Sequence, residues 1–72
     1  MRDSKDRPIS VGDFVNVGAD IDGVVVCSID TREGTPEHPI EKWEYLNHGV
    51  IVDTKIAGLV YVAESAQILL TT

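Results

Sequence analysis

Three side chains could serve as soft metal ligands, or as a nucleophile with its base: Cys27, His38 and His48. Zinc sites are usually built on close pairs such as Cys-x2-Cys, and no such pair occurs here. Cys27 ends a Val-Val-Val-Cys run, where a cysteine is ordinarily a small buried hydrophobe. As a nucleophile it would need a lowered pKa and a base, and His48 could reach it only through the fold. Asp20 and Asp22 open like a calcium loop, but the sixth position from Asp20 is Val25 instead of glycine and the twelfth is Thr31 instead of glutamate. They read as turn aspartates. Asp13, Asp30, Glu33, Glu37, Glu41, Glu44, Asp53 and Glu64 show no pattern that would bury a pair and split its pKa values; they read as a solvated acidic face. Gly-rich phosphate loops, Gly-x-Ser-x-Gly elbows and His-Glu-x-x-His helices are absent from the sequence. The expectation is a protein that is not an enzyme, with no metal and no cofactor.

The residues suited to binding are aromatic. Phe14, Trp43, Tyr45 and Tyr61 are all the aromatics of the chain, and Trp and Tyr are enriched at interface hot spots. Together with the carboxylates near them they give an expected partner-binding surface of Glu37, His38, Trp43, Glu44, Tyr45 and Tyr61. Trp43 has two readings, a core plug or a docking residue, and the sequence leaves both open.

Composition bounds the partner. The 72 residues are 43% apolar and 25% charged, which is ordinary for one folded domain. The formal net charge of −6 repels phosphate backbones and anionic headgroups. A protein with a basic or mixed surface is the expected partner, with no direct nucleic acid and no membrane. The one cysteine excludes an internal disulfide. No apolar run approaches 18 residues, and the N-terminal residues lack an apolar signal core. A cytoplasmic location is expected.

Positioning these residues falls to short strands. Residues 1–8, charged and of mixed sign, read as a flexible N-terminal tail; residues 9–72 read as a single small β-barrel domain. Strand one is expected at about 13–18 and a Gly/Asp turn at 18–23. Strand two, 24–29, would place Val24, Val26 and Ser28 on one face and Val25, Cys27 and Ile29 on the other. Both faces are then apolar, making strand 24–29 the candidate seam of a homodimer. Residues 30–39 form a long loop with Gly34, Pro36 and Pro39. Ile40, Trp43 and Leu46 are spaced three apart between Pro39 and Gly49, which predicts one or two helical turns over about 39–47. Residues 49–64 hold two β-rich runs around Gly58, the pattern of an antiparallel hairpin. A 3₁₀ turn at 64–67 and a last strand at 68–70 complete the chain.

The fold class is therefore mainly β, a five-stranded small barrel with one long loop. The order of Gly12-Asp13-Phe14-Val15, long excursion, hairpin, 3₁₀ turn and terminal strand resembles the SH3-like barrel over about residues 11–70. Within that architecture the chain is similar to the variable chain of ferredoxin–thioredoxin reductase and to nitrogen-fixation accessory proteins of the NifZ type. It shares their Gly-Asp/Glu-x-Val opening and their Gly-x-Val strand, here Gly49-Val50-Ile51-Val52. Glu37-His38-Pro39 is similar to a His-Pro-Glu loop of the former. The resemblance implies a non-catalytic protein-binding module or small accessory subunit. The alternatives are an acidic inhibitor or nucleic-acid mimic and, third, a small enzyme or metal-binding protein.

Overall fold

The structure, a computed structural model, describes residues 1–18 and 20–71. Ala19 of the expected 18–23 turn and Thr72 of the expected 9–72 domain lie outside them. The fold is mainly β. Strands β1 (Phe14–Asn16), β2 (Asp22–Ser28), β3 (Val50–Thr54), β4 (Gly58–Val62) and β5 (Leu69–Leu70) form one antiparallel sheet in the order β4-β3-β2-β1-β5. β4 and β5 are its two edges, and among the described residues no ladder joins them. The expected strands and hairpin are all present, and 3₁₀ turns account for the helical residues.

The β3–β4 hairpin follows from its sequence. Val50 and Val52 point to one side with Val60 and Val62 opposite them. Gly58 takes φ +70° at the turn, a conformation open to a residue without Cβ. The Thr54 hydroxyl accepts the Ala57 N–H and donates to the Gly58 carbonyl, closing the turn.

Strand β2 departs from simple alternation. Val25 lies opposite Val52 but Cys27 opposite Ile51, so Val26 and Cys27 together face one partner residue. This is a β-bulge, and it shifts the side-chain period by one. Val26, Cys27 and Ile29 pack with Ile51 on one side of the sheet. Val25 packs on the other with Ile9, Val15, Val50, Val52, Val62 and Ile68. Ser28, opposite Val50, is carried to this second side, where its hydroxyl is buried without a hydrogen-bond partner among the described residues. The expected split of 24/26/28 from 25/27/29 is thus corrected beyond Val25. The two-sided apolarity has an internal cause as well: β2 lies between β1 and β3, and both its faces are covered within the chain.

The N-terminal residues are built into the domain instead of trailing from it. Asp3 is buried and accepts the N–H groups of Lys5, Arg7 and Leu70 and the Arg7 guanidinium. Ser4 N–H donates to Ile68 O, Ile9 N–H donates to Met1 O, and Ile9 enters the core. Mixed charges suggested a tail because composition does not show that one carboxylate can gather the amides of a loop. Burial opposes ionisation of Asp3, but the amides of Leu70 and Arg7, the Arg7 guanidinium and the Lys5 amide outweigh it. The carboxyl is held well below the usual carboxylate range.

Candidate functional site

Residues 40–46 fold over the bulged side of β2 and β3. Two 3₁₀ turns, Ile40–Lys42 and Glu44–Leu46, meet at Trp43. Their backbone bonds run from Trp43 N–H to Ile40 O at 2.9 Å and from Leu46 N–H to Trp43 O at 3.0 Å. A 3₁₀ helix has three residues per turn, so positions i and i+3 eclipse. Ile40, Trp43 and Leu46 accordingly fall in one column, and all three pack on Val26, Cys27, Ile29 and Ile51. The spacing read as helical is a 3₁₀ spacing; an α-helix would turn the third residue out of line. Asn47, at φ +71°, ends the excursion.

Trp43 is half-buried, and its Nε1 is shielded from solvent with no acceptor among the described residues. It covers the sheet. Its neighbours on the turn face outward: Tyr45 is 71% exposed, and exposed Glu44 pairs with Arg32 at 3.3 Å. Tyr61, 39% exposed, lies opposite Ile51 on the same side of the sheet. Its hydroxyl donates to His48 O at 2.6 Å. Gly49 permits this placement. At φ +101° it is in the left-handed region, and a Cβ there would lie 2.7 Å from Tyr61 Cε1 and 2.6 Å from Val62 O.

Glu37 and His38 belong to the preceding loop. Glu37 is exposed and His38 half-buried. Thr35 and His38 exchange N–H···O bonds of 3.1 Å, which makes the loop a tight turn. Of the six expected partner-binding residues, Ile51 therefore links Trp43 and Tyr61. Glu44 and Tyr45 flank Trp43 on the solvent side. No hydrogen bond or ion pair ties Glu37 or His38 to the other four among the described residues.

The soft ligands stay apart in role. Cys27 is fully buried; burial, and then the charge of Glu41, push its thiol pKa up, opposite to what a nucleophile needs. His38 is half-buried and His48 exposed. Among the described residues no group of three or more His, Cys, Asp or Glu side chains is placed to hold a metal ion. No helix there is long and apolar enough to cross a membrane.

Sequence reasoning missed a second open region. Phe14, Val24 and Asp53 form one row across β1, β2 and β3. They line an open groove of ≈ 760 Å³ with Ile56, Asp20 and Asp22. Phe14 is 55% exposed and Ile56 81%. The signal was present: Val15 at the core of strand one obliges Phe14 to face the other way.

In comparisons with protein-family models, curated proteins and solved structures, nothing matches the chain.

Proposed function

We propose that the protein is a non-catalytic binding module or small accessory subunit that docks on a larger protein through its acidic and aromatic surface. The observation that carries the reading is Tyr45. A large amphipathic side chain stands 71% exposed beside Glu44, on a turn fixed to the sheet by the ring of Trp43. Tyrosine supplies broad contact area at low conformational cost, and rigid presentation lowers the ordering entropy of binding. The surrounding charge favours a basic or mixed partner surface. Five short antiparallel strands with a 3₁₀ turn before the last one support the likeness to SH3-like small barrels, although fold alone does not fix function. Trp43 acts in this reading as the anchor of the surface and not as its contact residue.

Affinity capture from source lysate, with wild type and Tyr45→Ala compared, tests it. Tyr45 is exposed, so the variant is expected to keep its fold to within about 0.5 kcal/mol. A protein retained by wild type and lost by the folded variant supports the reading. Equal retention, or none by either, overturns it.

A further inference from the structure

The two edges of the sheet are treated differently. At β5 the outward backbone groups are taken up by the N-terminal loop. Ser4 N–H donates to Ile68 O at 2.8 Å, Leu70 N–H donates to Asp3 Oδ2 at 3.0 Å, and Arg7 Nη2 donates to Leu70 O at 2.8 Å. At β4 nothing comparable is found. Among the described residues its backbone bonds run to β3, with one further bond from the Thr54 hydroxyl to Gly58 O. The strand reads Gly-Leu-Val-Tyr-Val, without charge or proline, and its register with β3 has no bulge. These are the devices by which exposed edges are normally protected. Leu59 and Tyr61 are both partly exposed on the side next to this edge.

We infer that β4 is a self-association edge, on which a second copy of this chain adds its own β4 antiparallel to the first. Residues directly opposite in a ladder share a face. A two-fold centre at Val60 is the one register that pairs all five residues of the strand and keeps faces matched. Val60 then meets Val60 of the second copy, and Leu59 meets Tyr61 of the second copy twice over, an aliphatic–aromatic cross-strand pair of the favourable kind. Lys55 precedes the strand and Glu64 follows it, so antiparallel pairing brings Lys55 of each copy to the end where Glu64 of the other lies. The charge pattern at the seam thus fits a second copy. The contact is isologous and closes on itself, and the capped β5 edge stops the sheet from growing further. Each chain carries −6, so repulsion between copies opposes the short neutral seam and added salt tightens it.

Sedimentation equilibrium of the full chain across a concentration series tests this, with Leu59→Lys as the edge variant and Phe14→Lys, exposed on β1 with two strands between it and β4, as a control of equal charge change. The wild type is expected to shift from 7.9 kDa to twice that mass as concentration rises, at lower concentration in high salt. Leu59→Lys is expected to remain monomeric and Phe14→Lys to follow wild type. Near-native circular dichroism of Leu59→Lys separates loss of pairing from loss of fold. A wild type that stays monomeric at the highest soluble concentration overturns the inference, including the case in which another protein takes the edge. So does a dimer that Leu59→Lys leaves intact.

Discussion

Replacing Trp43 separates an anchor from a contact residue. In Trp43→Ala the indole leaves its seat against Val26, Cys27, Ile29 and Ile51. Truncation of a buried tryptophan costs about 3–5 kcal/mol; Trp43 is only partly covered, so the low end, about 3 kcal/mol, applies. A core of this size rarely supplies more than about 3–5 kcal/mol in total, so the alanine variant loses most of its stability. Trp43→Phe is a different perturbation. It gives up roughly 40 Å² of apolar area, about 1 kcal/mol at 25 cal/mol/Å². It also removes the shielded Nε1–H that meets no acceptor among the described residues, a group whose burial costs about 1–3 kcal/mol. The phenylalanine variant is therefore expected to be neutral to modestly more stable. Urea unfolding followed by far-ultraviolet circular dichroism measures both, independently of the lost fluorophore. An alanine variant within about 0.5 kcal/mol of wild type, or a phenylalanine variant as costly as alanine, would refute the assignment of Trp43 to the cover of the sheet.

Ser28→Ala removes a buried hydroxyl with no partner among the described residues and is expected to be neutral or to stabilise by about 1 kcal/mol in the same assay; a loss of that size would mean the hydroxyl is bonded. Cys27, buried and with its thiol pKa raised, is expected to react with a thiol reagent at neutral pH only on unfolding, so its labelling rate should follow urea concentration. Asp3 has a folded-state pKa below its ordinary 3.8. Its contribution to stability is therefore complete above about pH 4 and is lost as pH falls through that value towards the folded one. Asp3→Asn is expected to lower stability at pH 7 and to flatten the acid limb of the stability profile, read by thermal unfolding across pH; an unchanged limb would count against the loop contacts.

Much of the sheet was legible because it rests on local patterns. Val50/Val52 and Val60/Val62 alternate cleanly, Gly58 marks the turn, and Ser65–Gln67 forms the expected 3₁₀ turn before β5. The bulge in β2 was not legible. Val-Val-Val-Cys carries no glycine or polar residue to mark where alternation slips, and only the pairing with β3 determines it. The loop around Asp3 was hidden for another reason, since its partners include Leu70, at the far end of the sequence. Within the candidate surface, the spacing of Ile40, Trp43 and Leu46 foretold a shared face but not whether that face meets sheet or solvent. The open edge at β4 depends on strand order, which local pattern does not encode.

Amide hydrogen exchange resolved by residue tests the unequal edges on which this account rests. In dilute, monomeric protein the amides of Lys5, Arg7 and Leu70 are expected to be protected, as is every second amide of Gly58–Val62, while the alternate amides of that strand exchange freely. Rapid exchange at Lys5, Arg7 and Leu70, or uniform protection along Gly58–Val62 in the monomer, would contradict it.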